Sequence, residues 1–143
     1  MRGYAAIALY QPKNTINVGS VLRAAWNYNA SLVITSGNRY RPVPTDTMNS
    51  YKHIPLIQVD DLFNSIPYDC VPIAIDLLEN SQSLFSYKHP ERAFYIFGAE
   101  DGTLGKAITE KCRDIVSIPT RGCMNLAACV NVVLYDRLFK QQG

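Results

Sequence analysis

The sequence is poor in the features that mark metal-binding, disulfide-rich and membrane proteins. Its four cysteines and two histidines are scattered, and no C-x-x-C pair or close Cys/His cluster occurs. We therefore expect buried free thiols and no metal site. No apolar run approaches the roughly 20 residues of a membrane span, and no charged amino-terminal region precedes a leader-like apolar stretch. These absences favour a soluble protein of the cytoplasm.

Excess charge is also lacking. The formal net charge of +2 is too small to indicate a nucleic-acid partner by itself. What the chain has is the composition of an ordinary globular domain, with 48% hydrophobic and 18% charged residues among 143. A chain of this length can bury a substantial core without disulfides. Because it shows no internal repeat or linker, we predict a single α/β domain over residues 1–143.

Short apolar segments alternate with segments of helical spacing along the whole chain. Strands are predicted at YAAIALY, SLVITSG, LIQV, VPIAID, AFYIFGAE and DIVSIP, and helices at VLRAAWNYN, DDLFNSI, TLGKAITEKC and NLAACVNVVLYDRLFK. This alternation predicts a mostly parallel sheet with helices on both faces. Such sheets bind ligands beyond the carboxyl ends of their strands. We expect four loops to gather there, namely QPKNTINVG, DLLENS, GAEDGTLG and PTRGCMN.

Three segments could carry chemistry, and each also has an ordinary structural interpretation. In NTINVGSVLRAA, Asn17 could cap a helix, and Arg23 could be a surface residue or could hold a phosphate or ribose oxygen. FGAEDGTLG is neither a P-loop nor a G-x-G-x-x-G motif, and Glu100 could cap the next helix. In PTRGCMN, Asn125 could cap the last helix or hold a neighbouring loop. Asn131, which lies about two turns further on, could contact a partner helix or bond to a core carbonyl.

In this order, NTINVGSVLRAA, FGAEDGTLG and IPTRGCMNLAACVNVVLYD resemble the three motifs of the SpoU branch of the SPOUT RNA methyltransferases. The resemblance covers nearly the whole chain and is greatest to the small tRNA (cytidine/uridine-2′-O)-methyltransferases. It implies a carboxy-terminal deep trefoil knot, which general rules of topology would not predict. It also implies S-adenosylmethionine (AdoMet) as cofactor, and a homodimer with the first and last helices in its interface.

The resemblance assigns roles to individual residues. The catalytic set that it implies is Asn17, Arg23, Glu100 and Asn125. The cofactor-binding set that it implies is Ile75, Asp76, Leu77, Gly98, Ala99, Ile118, Cys123, Met124 and Leu126. No metal is required, because the sulfonium methyl of AdoMet is already activated.

The sequence departs from the family pattern mainly in the third motif. Cys123 and Ala127 stand where serine is common, and the loop from Ile118 to Cys123 is shorter than usual. In the second motif, Gly102 and Gly105 follow Glu100 at an unusual spacing. We expect AdoMet binding to survive these changes, because Cys123 can still contact the cofactor through its backbone.

The segment NRYRPVPTDTMNSYKHIP mixes cations with aromatic residues, so it is the predicted RNA contact. The cations proposed to contact RNA are Arg39, Arg41, Lys52 and His53. The alternative is a solvated loop. The predicted function is AdoMet-dependent methylation of a ribose 2′-hydroxyl, with tRNA as the foremost substrate. The alternatives are methylation of rRNA, and a non-catalytic RNA-binding or assembly protein that kept the fold.

Overall fold

The computed structural model describes residues 3–37, 54–77, 80–99, 104–122 and 124–142. The strands are β1 Tyr4–Leu9, β2 Leu32–Ser36, β3 Leu56–Val59, β4 Val71–Ile75, β5 Gln82–Ser83, β6 Arg92–Phe97 and β7 Asp114–Ser117. The α-helices are α1 Thr15–Asn27, α2 Lys106–Thr109 and α3 Leu126–Gln142, and short 3-10 helices span Leu62–Ser65 and Leu84–Ser86. Strands and helices thus alternate as the sequence predicts.

The strands pair in parallel in one sheet, in the order β3-β2-β1-β6-β4-β7-β5. Successive side chains of a strand face opposite sides. Ile7 and Leu9 of β1 therefore pack with α1 and α3, whereas Ala6 and Ala8 join a second cluster with Leu62, Leu104 and Ile108. The predicted parallel sheet with helices on both faces is confirmed, although short elements cover the second face. The deep trefoil knot stays a prediction.

Helix α1 begins earlier than the sequence analysis places it, inside the predicted loop. Its N-cap is Asn14, whose side-chain oxygen accepts a hydrogen bond of 2.8 Å from the Ile16 N–H. The interpretation of Asn17 as the N-cap is therefore wrong, and Asn17 lies in the first turn of α1. Buried Val18 extends the apolar helical spacing back into this turn, which explains the earlier start.

The second half of the chain also differs in detail. The helix predicted over residues 103–112 is described only as α2, Lys106–Thr109, and Gly105 with φ of 80° precedes it. Strand β5 and the 3-10 helix after it were not predicted, because Gln82 and Ser83 carry no apolar pattern. Strand β5 gains its structure from pairing with β7.

The strand register aligns the carboxyl ends of four strands. Leu9 of β1 pairs with Phe97 of β6, Phe97 pairs with Ile75 of β4, and Ile75 pairs with Val116 of β7. The segments that follow these residues therefore leave the sheet at one edge, which we call the carboxyl edge. The prediction that these four loops gather there is confirmed at the points where each leaves the sheet.

The far end of α3 is held by a buried and half-buried polar network, the α3 anchor, formed by His89, Tyr95, Asp136, Arg137 and Lys140. The two ring nitrogens of His89 lie 2.7 Å from the Tyr95 hydroxyl and 2.7 Å from a carboxylate oxygen of Asp136. Burial lowers the pKa of His89 and raises the pKa of Tyr95 to about 12. A neutral His89 that accepts from Tyr95 and donates to Asp136 satisfies all three groups.

The cations of the α3 anchor reach backbone carbonyls beyond the helix. Arg137 donates to the Pro90 carbonyl at 2.8 Å, the Glu91 carbonyl at 2.7 Å and the Tyr95 hydroxyl at 3.0 Å. Lys140 pairs with Asp136 at 2.8 Å and donates to the carbonyls of Leu84 and Tyr87 at 2.6 and 2.8 Å. These bonds attach α3 to the segment that leads into β6.

Three cysteines are free thiols, as predicted: Cys70 is buried, and Cys112 and Cys129 are half-buried. Burial raises the pKa of each thiol, that of Cys112 to about 11. Cys123 lies outside the described residues. Within the described ranges, no group of three His, Cys, Asp or Glu side chains could hold a metal ion, and no helix is long and apolar enough to cross a membrane.

Candidate active site

Two asparagines from distant parts of the chain meet at the carboxyl edge. The side-chain amide of Asn125 donates a hydrogen bond of 3.2 Å to the side-chain oxygen of Asn17, across a separation of 108 residues. Asn17 belongs to the first turn of α1, and Asn125 directly precedes α3. The structure thus brings together the first and third of the predicted motifs.

Asn125 also caps α3. Its side-chain oxygen accepts hydrogen bonds from the N–H groups of Ala127 at 2.9 Å and Ala128 at 3.3 Å. Because two backbone donors occupy the oxygen, the amide orientation is determined, and the NH₂ group must face Asn17. Both interpretations of Asn125 hold at once, since the same side chain caps a helix and holds a neighbouring segment.

Asp76 connects three parts of the carboxyl edge. One carboxylate oxygen accepts from the Leu77 N–H at 2.9 Å, and the other accepts from the Leu104 N–H at 3.2 Å. Its own N–H donates to the Val116 carbonyl at 3.0 Å. Sequence reasoning missed Leu104, although an acidic residue directly after a buried strand was a usable signal. Asp76 therefore shapes the edge through backbone groups.

Apolar and small residues line the same edge. Ile75 and Ile118 are half-buried against the core, and Leu126 is buried at the start of α3. Gly98 and Ala99 directly follow β6 and are the two smallest residue types. An edge with this lining suits a ligand that presents both an apolar ring and polar groups to the backbone.

The remaining predicted cofactor residues differ in exposure. Leu77 is 80% exposed, and Met124 is half-buried. The Met124 carbonyl accepts a weak hydrogen bond from the Cys129 thiol at 4.0 Å, and burial raises the pKa of that thiol, so it stays protonated. Cys129 therefore contributes as a neutral, packed side chain.

Arg23 is exposed on α1, on the face that also carries Ile16 and Trp26. Six residues of an α-helix place it roughly 120° around the axis from Asn17. The helix therefore presents the two predicted catalytic residues on different faces, and Arg23 shares its face with exposed apolar side chains.

Several predicted residues lie outside the described residues. These are Glu100 and Cys123 of the second and third motifs, and the proposed RNA contacts Arg39, Arg41, Lys52 and His53. Asn131, whose role the sequence left open, donates a hydrogen bond of 2.8 Å to the Ala127 carbonyl of its own helix. It thus satisfies a carbonyl of α3.

A wide groove of about 710 Å³ lies away from these residues, along α2 and the start of β7. Lys106 and Arg113 line it, and none of the predicted cofactor residues does. The shape of the surface alone therefore does not identify the carboxyl edge as a binding site. The strand register and the positions of the motifs do identify it.

A family model described as the SpoU rRNA Methylase family matches residues 4–135. The structure of the SpoU methyltransferase AviRb from Streptomyces viridochromogenes, in complex with AdoMet, is similar, with 19% identity and a TM-score of 0.81. The match covers 100% of this chain and 60% of the AviRb chain. This chain thus spans less than two thirds of AviRb.

Two further solved structures have the same fold. The A. aeolicus TrmH/SpoU tRNA modifying enzyme is 16% identical with a TM-score of 0.84, over 99% of this chain and 77% of that one. A protein studied for the 2-OH methylation of C/U34 on tRNA is 20% identical with a TM-score of 0.85, over 99% of this chain and 98% of that one. No curated protein matches the sequence significantly. Because the family model extends from β1 into α3, the chain belongs to the SpoU rRNA Methylase family.

Proposed function

We propose that the chain is an AdoMet-dependent RNA methyltransferase that modifies a ribose 2′-hydroxyl, with tRNA as its substrate. The observation that carries this proposal is the 3.2 Å hydrogen bond between Asn125 and Asn17. It joins the first and third motifs at the carboxyl edge, where parallel α/β sheets bind their ligands. A protein that only bound RNA would not need these two side chains together beside aligned strand ends.

The lining of the carboxyl edge fits AdoMet. Ile75, Ile118 and Leu126 offer apolar walls for the adenine ring, and Gly98 and Ala99 leave room for close backbone approach. The full set proposed to hold the cofactor is Ile75, Asp76, Leu77, Gly98, Ala99, Ile118, Cys123, Met124 and Leu126. Within it, Asp76 acts indirectly, because the N–H groups of Leu77 and Leu104 engage its carboxylate oxygens.

The catalytic roles follow from the chemistry of the acceptor. A ribose hydroxyl is a poor nucleophile near neutral pH and needs proton removal or electrostatic help. When bound, AdoMet supplies a methyl group that its sulfonium already activates. The guanidinium of Arg23 is a poor base, because it carries five N–H donors and no acceptor. We therefore assign Arg23 to hold the adjoining phosphate and to stabilise the charge that develops during the reaction. Asn17 and Asn125 hold the first and third motifs together at the carboxyl edge. Glu100 is the fourth residue of the proposed catalytic set.

tRNA is the favoured substrate because of one solved neighbour. The structure studied for the 2-OH methylation of C/U34 on tRNA matches this chain over 98% of its own length, with a TM-score of 0.85. The cations Arg39, Arg41, Lys52 and His53 are proposed to contact the RNA, and the enzyme is proposed to work in the cytoplasm as a single domain. Methylation of rRNA is the second candidate, since the family description names that substrate.

Calorimetric titration with AdoMet and S-adenosylhomocysteine tests the cofactor site. We expect micromolar binding by the unchanged protein and its loss in Gly98→Leu, because the added side chain fills the space at the end of β6. Ala107→Leu adds bulk at an exposed position of α2 and should bind normally. If neither ligand binds the unchanged protein, the cofactor assignment is wrong and a non-catalytic RNA-binding role replaces it.

Methyl transfer identifies the substrate. The protein is incubated with AdoMet and either unmodified tRNA or unmodified rRNA, and the nucleosides are analysed by mass spectrometry after digestion. We expect 2′-O-methylnucleosides from tRNA. Products from rRNA alone would favour the second candidate, and base-methylated products would contradict ribose methylation.

We also propose a homodimer through the outer faces of α1 and α3. Trp26 on α1 and Tyr135 and Phe139 on α3 are exposed aromatic residues, and the rings of Tyr135 and Phe139 stack with centroids 6.5 Å apart. Exposed apolar patches and aromatic side chains mark protein interfaces. Since Arg23 shares the outer face of α1, dimerisation would bring it to the interface.

Light scattering after size exclusion tests the dimer. Phe139→Glu should shift the protein to the monomer mass, because a carboxylate would be buried in the interface. Phe85→Glu is the matched control, since Phe85 is 79% exposed and Phe139 is 65% exposed, but Phe85 lies outside both helices. A monomeric unchanged protein that still methylates RNA would contradict this arrangement.

A further inference from the structure

A second cavity, of about 270 Å³, opens at the amino ends of the strands, opposite the carboxyl edge. Gly3 and Tyr4 at the start of β1, and Ser31 just before β2, form one side. Arg137 and Gln141 of α3 form another. None of the residues assigned to methyl transfer lines this cavity, so it needs a separate account.

The charge of Arg137 is not balanced by its surroundings. Its side chain is 5% exposed, and its three hydrogen bonds go to two backbone carbonyls and the Tyr95 hydroxyl, which are all uncharged. The carboxylate of the adjacent Asp136 is occupied by His89 and Lys140, at 2.7 and 2.8 Å. Across the described ranges, no carboxylate forms an ion pair with Arg137. The α3 anchor thus holds one buried positive charge in excess.

Buried arginine is rare unless an anion pairs with it. The cavity gives such an anion a route to the guanidinium. Gly3 packs closely on the cavity wall, because its φ is 96° and a Cβ atom there would lie 2.5 Å from the Glu91 carbonyl oxygen and 3.1 Å from a terminal nitrogen of Arg137. A larger residue at this position would press on that carbonyl and on the guanidinium.

Polar side chains on the cavity wall supply further donors. Asn29, Ser31 and Gln141 line the cavity, and their side chains make no hydrogen bond to another residue of the described ranges. Amide and hydroxyl groups donate readily to oxyanions. Together with the guanidinium of Arg137, these groups are donors of the kind that bind a phosphate oxyanion.

We propose that this cavity is a phosphate site, in which Arg137 binds the anion with help from Asn29, Ser31 and Gln141. The phosphate comes either from the backbone of a bound RNA or from free inorganic phosphate. The site does not depend on methyl transfer, since it lies at the other end of the sheet.

Thermal unfolding with inorganic phosphate tests the site, with chloride used to keep the ionic strength constant. We expect phosphate to raise the unfolding temperature of the unchanged protein. Gln141→Glu places a carboxylate in the cavity, so it should unfold at a higher temperature without phosphate and gain little from phosphate. Asn64→Glu makes the same charge change at an exposed position outside the cavity and should keep the full response.

Two results would overturn the site. One is an unchanged protein that shows no phosphate-dependent shift beyond that of chloride. The other is a Gln141→Glu variant that responds to phosphate as strongly as Asn64→Glu does.

RNA binding measured over a range of salt concentrations then identifies the source of the phosphate. If RNA fills the cavity, Gln141→Glu should weaken tRNA binding and reduce the slope of log affinity against log salt by about 1 relative to Asn64→Glu. Equal slopes, together with the thermal shift, assign the site to free phosphate. Equal slopes without the thermal shift reject the site altogether.

Discussion

The two ends of α3 are held in opposite ways. At its start, Asn125 caps the helix and reaches Asn17 through exposed or half-buried hydrogen bonds between neutral groups. Toward its end, Arg137 and Lys140 make buried or half-buried bonds from charged donors to Tyr95, Asp136 and backbone carbonyls. The helix is thus held by charged hydrogen bonds far from the candidate active site, and by weaker neutral hydrogen bonds beside it.

This difference separates stability from function along a single helix. Hydrogen bonds from charged groups contribute about 1.5–3 kcal/mol each, whereas neutral ones contribute about 1 kcal/mol. The α3 anchor can therefore hold the helix in place while the start of α3 adjusts to ligands. Regions that bind ligands are commonly drawn from the less stable part of a fold.

The largest expected effect comes from breaking the α3 anchor. Arg137→Ala should lower the free energy of unfolding by about 3 kcal/mol in phosphate-free buffer, because it leaves two carbonyls and the Tyr95 hydroxyl without their donor. Urea denaturation followed by circular dichroism measures the loss. Arg113→Ala is the control, since its ion pair with Asp114 is exposed and should contribute less than about 1 kcal/mol. Equal losses of unfolding free energy in the two variants would contradict the larger contribution assigned to Arg137.

The next effect concerns the start of α3. Asn125→Ala should cost only about 1 kcal/mol of stability, the usual value of a helix cap, yet weaken AdoMet binding or activity strongly. Asn131→Ala is the matched control on the same helix, because among the described residues its amide bonds to the Ala127 carbonyl of α3 alone. Calorimetry with AdoMet and urea denaturation separate the two effects. If both variants bind AdoMet equally poorly, Asn125 has no special role.

A smaller effect should appear in the coupling between the two asparagines. In a double-mutant cycle with Asn17→Ala and Asn125→Ala, we expect an interaction energy of about 0.5 kcal/mol in unfolding, as suits an exposed neutral hydrogen bond. The same cycle measured on AdoMet binding should show a larger coupling. Strict additivity in both measurements would mean that the bond of 3.2 Å contributes nothing in solution.

The smallest expected effect is a dependence of stability on pH. Burial lowers the pKa of His89 below its ordinary value of 6.5, so the unfolded chain takes up a proton before the folded protein does. Stability should be constant above about pH 6.5 and fall as the pH drops through the folded pKa. His89→Gln should remove this part of the pH dependence in urea denaturation between pH 7.5 and 5. An identical profile in the variant would show that His89 is not responsible.

Much of the fold could be read from local pattern. The run YAAIALY predicts β1, because a strand buried on both faces needs apolar residues at every position. Short elements such as Gln82–Ser83 were missed, since their structure comes from pairing with β7. The start of α1 was misplaced because Asn17 was taken as its cap, whereas the hydrogen bond at Asn14 shows that the helix begins three residues earlier.

The candidate site, like the fold, could be predicted from the sequence only in part. Asn17, Asn125 and Asp76 could be chosen from the sequence, because motif order and position after a strand are local facts. The partner of Asp76 at Leu104 and the charge excess at Arg137 could not, since both depend on segments far apart in the chain.

By itself, the sequence determined the parallel sheet, the positions of its loops and the resemblance to a methyltransferase family, because apolar spacing and motif order are properties of short segments. Tertiary structure alone decided that Asn125 meets Asn17, that α3 is anchored at its far end, and that Arg137 lies at a cavity without an ion pair to any described carboxylate. The physical reason is that a hydrogen bond or a charge balance depends on distances in space, which local spacing does not specify.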